Sequence, residues 1–113
     1  MKNNRCLNDG YVSIYKDPVK RGSFGAKTNV ESLKDLEFIV KLAYKEMNQR
    51  VQDLELLEMQ GKTLSLKIKT HLFPAVESSH KVVLNNVLYD ISYIDYDKIN
   101  REMYLYCEKV KEL

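Results

Sequence analysis

Apolar and polar residues alternate most clearly over residues 81–113, where the pattern predicts a β-meander of three strands. The Asn85-Asn86 pair separates the first two apolar runs. Because Asn tolerates a positive φ, this pair predicts a two-residue type I′ hairpin. One face of the second strand is expected to carry Val87, Tyr89, Ile91 and Tyr93. The other face is expected to carry Leu88, Asp90, Ser92 and Ile94. The third strand sets Met103, Leu105 and Cys107 opposite Tyr104, Tyr106 and Glu108.

Upstream of the meander, residues 11–16 combine β-branched and aromatic side chains and predict a first strand. Residues 16–29 mix proline and glycine with several cations, which indicates a solvated loop. Residues 31–60 fit two patterns, since their apolar residues recur at helical spacing and also alternate. The concentration of Phe, Ile, Val and Tyr favours a strand over residues 36–46. One continuous helix over residues 31–60 is the alternative.

Residues 50–60 are rich in helix formers and predict a short helix that ends at Gly61. Its apolar residues at three-residue spacing are Val51, Leu54 and Leu57. Residues 62–70 then alternate strictly and predict another strand. Its inward residues are expected to be Leu64, Leu66 and Ile68, and its outward residues Lys62, Ser65, Lys67 and Lys69.

These elements give six short strands and one short helix in a chain of 113 residues. A chain of this length forms one domain around a single core, so we expect one domain over residues 1–113. Short strands in so small a domain favour closure, because a closed sheet has no free edges. We therefore predict a mainly β fold, either a small antiparallel β-barrel or a strongly curved sheet, with long loops.

Composition narrows the function classes. A formal net charge of +2, from 18 basic and 16 acidic residues, lacks the marked basic excess of most nucleic-acid-binding domains. Cys6 and Cys107 have no metal-ligand spacing, which indicates two reduced thiols. We expect neither a signal peptide nor a membrane span, since the first ten residues are polar and no apolar run is long enough.

The residue pattern predicts no enzyme, no cofactor and no metal. His71 and His80 are isolated from each other and from paired carboxylates, and we interpret both as surface residues. Residues 21–25 (RGSFG) lack the Gly-Lys-Ser/Thr ending of a phosphate-binding loop. The carboxylates of the meander lack the spacing and glycine of a calcium loop, so we interpret them as turn formers: Asp90, Asp95 and Asp97.

Two further groups of residues allow a structural and a functional interpretation. The tyrosines within residues 89–106 line the sheet or the core, or form a stacking platform for single-stranded nucleic acid as in OB-type barrels. The carboxylates of the predicted helix form a solvated helix exterior, or a functional acidic face: Asp53, Glu55 and Glu58. For both groups the residue pattern favours the structural interpretation.

Residues 82–110 (VVLNNVLYDISYIDYDKINREMYLYCEKV) resemble the C-terminal half of tailed-phage head-tail joining proteins, also called head-completion, stopper or head-tail adaptor proteins. The family's pattern is a turn, a Tyr-Xaa-Ile strand, an aspartate turn and a closing strand, and here it falls on Leu88-Tyr89-Asp90-Ile91 and Ile94-Asp95. Residues 50–70 and 10–29 resemble the family's short acidic segment and its first hairpin. Two departures are the absence of Trp in the second strand, which has Phe38 and Tyr44, and an Asn pair where glycine is common.

The resemblance implies a virion protein, assembled in the host bacterial cytoplasm, that forms a homo-oligomeric ring below the portal. Such a ring retains the genome and docks the tail, contacting portal or adaptor proteins above and tail-completion or tail-tube proteins below. Double-stranded DNA passes through without sequence-specific binding, and no membrane is involved. The resemblance places a channel-facing segment at Gln52, Asp53, Glu55 and Glu58. We assign partner contact to the basic loop, through Lys16, Lys20, Arg21, Phe24 and Lys27.

Elementary electrostatics is compatible with both assignments. An acidic wall does not bind DNA phosphates, whereas each Lys or Arg on it adds salt-sensitive affinity that slows passage. A basic loop suits an acidic protein partner, because charge complementarity guides docking. The alternatives are a small OB-like protein that binds single-stranded nucleic acid, and a tail-completion protein, which differs in its partner.

Overall fold

The computed structural model describes residues 7–17 and 36–113. The order of elements is the one that the sequence predicts, with the helix between the second and third strands, and the strand predicted over residues 36–46 runs from Glu37 to Glu46. The strands are β1 Gly10–Lys16, β2 Glu37–Glu46, β3 Leu66–His71, β4 Lys81–Leu84, β5 Val87–Asp97 and β6 Glu102–Glu112, and the helix is α1 Val51–Glu58.

The six strands close into an antiparallel barrel in the order β1-β2-β3-β6-β5-β4. The central residue of β1 shows how closure is achieved, because Ile14 faces Val40 of β2 on one side and Val82 of β4 on the other. The predicted mainly β fold is confirmed, with one short helix among the described residues, and of its two alternatives the structure has the closed barrel. Closure pairs the first strand with the fourth and leaves no sheet edge running the full length of the barrel.

The barrel interior is built from alternate residues of every strand. Val12 and Ile14 of β1, Ile68 of β3, and Met103 and Leu105 of β6 are fully buried. Burial of each such side chain contributes about 1.5–3 kcal/mol. Their chain neighbours on β1, β3 and β6 therefore lie on the outer wall, where the functional surface has to be sought.

The Asn85-Asn86 turn has the predicted geometry. Both residues have positive φ, 53° for Asn85 and 64° for Asn86, as a type I′ turn requires. The flanking residues Leu84 and Val87 are paired, so two residues connect β4 to β5. The turn fixes the register of this hairpin and hence which residues of β5 face the core.

A β-bulge in β5 changes the faces predicted for that strand. Ile91 pairs with Cys107, and Tyr93 pairs with Tyr106, the adjacent residue of the antiparallel strand β6. Two residues of β5 are thus used where β6 uses one, so Ser92 is the extra residue. Ile91 packs in the core, Tyr93 is 39% exposed on the outside, and Ile94 packs against the core. The predicted faces are therefore wrong beyond Ser92, because strict alternation does not anticipate an extra residue.

The chain between α1 and β3 differs from its prediction. The N–H of Gly61, at φ 72°, donates to Glu58 O, and the N–H of Lys62 donates to Leu57 O, both at 2.9 Å. These two bonds form a Schellman motif and confirm Gly61 as the helix stop. Because this motif and its exit occupy the residues before Leu66, β3 begins there and not at Lys62. Leu64, predicted to face inward, lies outside the barrel and packs with Leu57.

We expect Asn86→Val to lower the free energy of unfolding by about 1–2 kcal/mol, because a β-branched residue is strained at positive φ. Asn86→Gly is the matched control and is expected to match or slightly exceed the wild type. Urea unfolding midpoints measure both. A valine variant as stable as the wild type would contradict the turn geometry.

Candidate functional site

Helix α1 packs on the outer wall of the barrel, against β3 and β6. Leu57 is completely buried there, together with Leu64 and Tyr106, and Tyr104 packs on the edge of this cluster. Tyr104 and Tyr106 reach it because alternation along β6 sends Met103 and Leu105 inward. The result is a second, smaller core that lies outside the barrel.

A buried carboxylate lies beside this outer core. Asp53 in the first turn of α1 is 3% exposed and accepts five hydrogen bonds. Lys67 Nζ donates at 2.8 Å and the Tyr106 hydroxyl at 3.2 Å, both from the barrel wall. Arg50 donates three times, from its backbone N–H at 3.1 Å, from Nε at 3.3 Å and from Nη2 at 3.0 Å. One side chain therefore caps the helix and attaches it to the barrel.

Lys67 and Lys69 point outward, as the alternation of β3 predicts, but both are 6% exposed. Both are buried although they lie outside the barrel, because α1 and the tyrosines of β6 cover this wall. Lys67 Nζ lies 5.1 Å from the centroid of the Tyr106 ring and 5.6 Å from that of Tyr104. Lys69 Nζ lies 3.8 Å from a carboxylate oxygen of Glu102, which is also buried. Both buried lysines of this wall therefore have a buried carboxylate as counter-charge, Asp53 for Lys67 and Glu102 for Lys69.

The ionisation of these groups follows from their partners. Burial disfavours the charged form of Asp53, but the hydrogen bonds from Arg50 and Lys67 outweigh it and hold the pKa of Asp53 well below its ordinary range. Burial, followed by the charge of Asp53, raises the pKa of Tyr106 to about 12. A carboxylate with so low a pKa and five donors is a poor general base, so the cluster is suited to holding α1 in place.

A cleft of about 450 Å³ opens beside the cluster. Both polar and apolar side chains line it: Met47, Asn48, Arg50, Lys67, Asp95, Tyr104 and Tyr106. Arg50 and Lys67 already pair with Asp53, and Asp95 adds a further negative charge. The cations of the cleft are therefore balanced by carboxylates, which does not favour binding of a strong anion.

The predicted channel-facing segment divides between the two sides of α1. Gln52, Glu55 and Glu58 are exposed, as predicted for a solvated acidic face. Asp53 is buried, so its place on that face is wrong, and the cause is its pairing with Lys67. The sequence alone offered no signal for this pair, because the register that sets Lys67 beside Tyr106 of β6 joins strands that are distant in the chain. The exposed side of α1 also carries Val51 and Leu54, at 66% and 42% exposure, and Met59 directly after the helix is 86% exposed.

Of the residues predicted for partner contact, Lys16 lies within the described part of the chain. Lys16 ends β1 and is exposed. The other residues of this prediction lie outside the described residues: Lys20, Arg21, Phe24 and Lys27. Their assignment remains a prediction.

The tyrosines and aspartates of the meander have separate roles. Tyr93 and Tyr96 are 39% and 44% exposed, and Tyr93 meets buried Tyr106 edge to face at 5.4 Å. Asp97 is a turn former, as predicted, since its carboxylate accepts hydrogen bonds from Asn100 at 2.9 and 3.1 Å. Asp90 instead pairs with Lys81 at 2.6 Å.

The histidines differ from each other. His71 is exposed, but His80 is 9% exposed, which corrects its interpretation as a surface residue. His80 Nδ1 accepts the N–H of Glu77 at 3.0 Å and so closes the loop before β4. Burial lowers the pKa of His80. Within residues 7–17 and 36–113, no three His, Cys, Asp or Glu side chains come together as metal ligands would.

Comparison with known protein families and with curated proteins gives no match for this chain. The one helix in the described part of the chain, α1, is too short to cross a membrane.

We expect Asp53→Ala to lower the free energy of unfolding by about 3–5 kcal/mol, because Lys67 is then buried without its counter-charge. Glu55→Ala is the matched control, an exposed carboxylate on the same helix whose loss changes stability by about 0.5 kcal/mol or less. The double variant Asp53→Leu with Lys67→Met is expected to lose less than Asp53→Ala alone, since no unpaired charge remains. Chemical denaturation measures all three, and a double variant that loses as much would contradict this account of the pair.

The stability contributed by Asp53 depends on pH in a fixed direction. A carboxyl whose folded pKa is depressed contributes stability above its unfolded pKa of about 3.9 and loses it as the pH falls further. We expect the difference in unfolding free energy between wild type and Asp53→Asn to be constant near neutral pH and to narrow below about pH 4. Denaturant titrations at several pH values measure it. A difference that shrinks already between pH 7 and 5 would contradict this assignment.

Proposed function

We propose that this chain is a structural protein of a tailed-phage virion, without enzymatic activity. It forms a homo-oligomeric ring at the head-tail junction below the portal, closes the DNA-filled head and docks the tail. The observation that carries the proposal is a closed barrel whose helix α1 is held on the outer wall by Asp53 and exposes carboxylates. This arrangement fits the resemblance of residues 82–110 and of the acidic segment to head-tail joining proteins.

The locked helix suits the wall of a DNA channel. Gln52, Glu55 and Glu58 face away from the barrel on a helix that Asp53 holds in one orientation. Their side chains offer DNA phosphates no cation to bind, so the duplex passes without being retained by the wall. Asp53 supports this surface from behind and is not part of it.

The ends of the ring contact other virion proteins. The basic loop that begins at Lys16 contacts an acidic surface of the portal, of an adaptor or of a tail protein, where opposite charges guide assembly. A tail-completion protein is a variant of the same proposal, since it has the same physical requirements and a different neighbour.

Binding of single-stranded nucleic acid is the second candidate, and one observation favours it. A groove of about 270 Å³ lies beside Tyr93 and Tyr96, and both rings are exposed enough to stack on bases. Asp95 stands between them on the same strand and repels phosphates, so this reading ranks below the first. Titration of a fluorescent single-stranded oligonucleotide tests this candidate. If bases stack on these rings, Tyr93→Ser and Tyr96→Ser are expected to abolish the binding.

The decisive experiment interrupts this gene in a phage that encodes it and examines lysates by electron microscopy. We expect complete tails and DNA-depleted heads to accumulate separately, and a plasmid copy of the wild-type gene to restore virions. Intact infectious virions in the absence of the protein would overturn the proposal.

Complementation with Gln52→Lys and Glu55→Lys together tests the channel assignment. We expect virions to assemble but to release DNA several-fold more slowly, with a rate that recovers at high salt, because the added cations bind phosphates. Glu55→Gln is the matched control, since it removes charge without adding a cation, and it is expected to release DNA at the wild-type rate. Unchanged release by the lysine variant would exclude this face from the channel.

A further inference from the structure

One flank of α1 forms a shallow groove with an apolar floor. Val51, Leu54 and Glu58 follow one another along this flank at helical spacing, beside the buried stripe of Asp53 and Leu57. The groove between this flank and the chain that leads into β3 has a volume of about 260 Å³. We call it the α1 groove; it is lined by Leu54, Glu58, Lys62, Thr63 and Leu64.

The negative charge beside the α1 groove is not neutralised by α1 itself. The last turn of α1 contains no basic residue, and Glu58 makes no ion pair with another of the residues 7–17 and 36–113. A carboxylate at the C-terminal end of a helix lies at the negative end of the helix dipole, which is unfavourable. Lys62 also lines the groove, but its ammonium donates to the backbone oxygen of Ser92 at 3.2 Å. A cation brought from outside therefore gains from the carboxylate and from the dipole together.

The outer face of β1 and β2 has the complementary character. Because Val12 and Ile14 point inward, Tyr11 points outward, and it is 64% exposed. Lys41 Nζ lies 5.4 Å above the centroid of the Tyr11 ring, so the pair presents an aromatic ring with a cation beside it. Phe38 adds a second ring on this face, at 55% exposure. Exposed aromatic side chains of this kind are typical anchors of protein interfaces.

We propose that these two surfaces form the contact between neighbouring copies of this chain. Tyr11 of one copy fills the α1 groove of the next, over Leu54 and Leu64, and Lys41 comes beside Glu58. The tyrosine hydroxyl remains at the polar rim of the groove near Thr63. The two surfaces match in apolar character and in charge.

The placement of the two surfaces makes the contact heterologous. Tyr11 lies on the wall formed by β1 and β2, whereas α1 covers β3 and β6, which are other strands of the barrel. Each copy therefore offers a different surface to each of its two neighbours, and contacts of this kind form a ring when the rotation from one copy to the next closes. The inference names the neighbour contact of the proposed ring and rests on the proposed function in that respect. In this contact Glu58 pairs with the neighbouring copy and does not face the channel, which leaves Gln52 and Glu55 as the channel-facing residues of α1.

Sedimentation velocity of the purified full-length protein over a concentration series tests the contact. We expect wild type to self-associate, and Tyr11→Ser to weaken association by about tenfold or more, as loss of an interface anchor does. Lys41→Glu and Glu58→Lys are each expected to weaken it several-fold, and the double variant Lys41→Glu with Glu58→Lys to restore it. Lys98→Glu is the matched control, a charge reversal in the β5–β6 turn, and is expected to associate as wild type does.

Each result decides the inference. Association that is lost in both single reversals and regained in the double variant supports it. A wild type that stays monomeric throughout the series overturns it, as does a double variant no better than the single ones. The urea midpoint of each variant separates loss of contact from loss of folding. Failure here with DNA-depleted heads in the gene interruption leaves the proposed function standing with another neighbour contact, whereas intact virions in that experiment overturn the function itself.

Discussion

The carboxylate of Asp53 determines how α1 lies on the barrel, and much of the outer surface depends on that orientation. The apolar contact of Leu57 alone would not fix the rotation of the helix, because apolar contacts are non-directional and Leu54 and Leu56 flank the buried stripe. The hydrogen bonds from Lys67 and Tyr106 do fix it, because they end on one carboxylate. We infer that the ion pair serves orientation more than stability, since a buried pair is often no more stable than apolar residues of the same volume.

The register of the strands supplies the other half of this arrangement. Leu66 and Ile68 fill the barrel and thereby send Lys67 outward, where it stands beside Tyr106 of β6. The bulge at Ser92 then turns Tyr93 outward against that same tyrosine and returns Ile94 to the core. One extra residue in β5 thus changes the composition of the outer wall without opening the barrel.

The sequence predicted most of the fold because its signals are local. Alternation, the Asn85-Asn86 turn and Gly61 each act over a few residues, and the order of six strands and one short helix follows from them. The sequence left a closed barrel and a strongly curved sheet as alternatives, and the pairing of β1 with β4 decides for the barrel. The features it missed are pairings between distant positions. Asp53 has the sequence character of a solvated helix residue, and its burial depends on Lys67, a partner that becomes visible only when β3 is placed under α1. The bulge was missed for the same reason, since the register with β6 defines it.

The three carboxylates of α1 show why a run of similar residues need not act as one site. Asp53 lies in the first turn, where the helix dipole favours an anion, and its carboxylate accepts its hydrogen bonds from groups of the same chain. Glu58 lies in the last turn, where the dipole disfavours an anion, and it is exposed. The presence of a carboxylate at position 53 is therefore explained by the stability of the isolated chain, whereas the presence of one at position 58 is not. A carboxylate that the fold itself does not favour is better explained by what lies outside the chain, and this is the physical reason for seeking a cationic neighbour at that end of the helix.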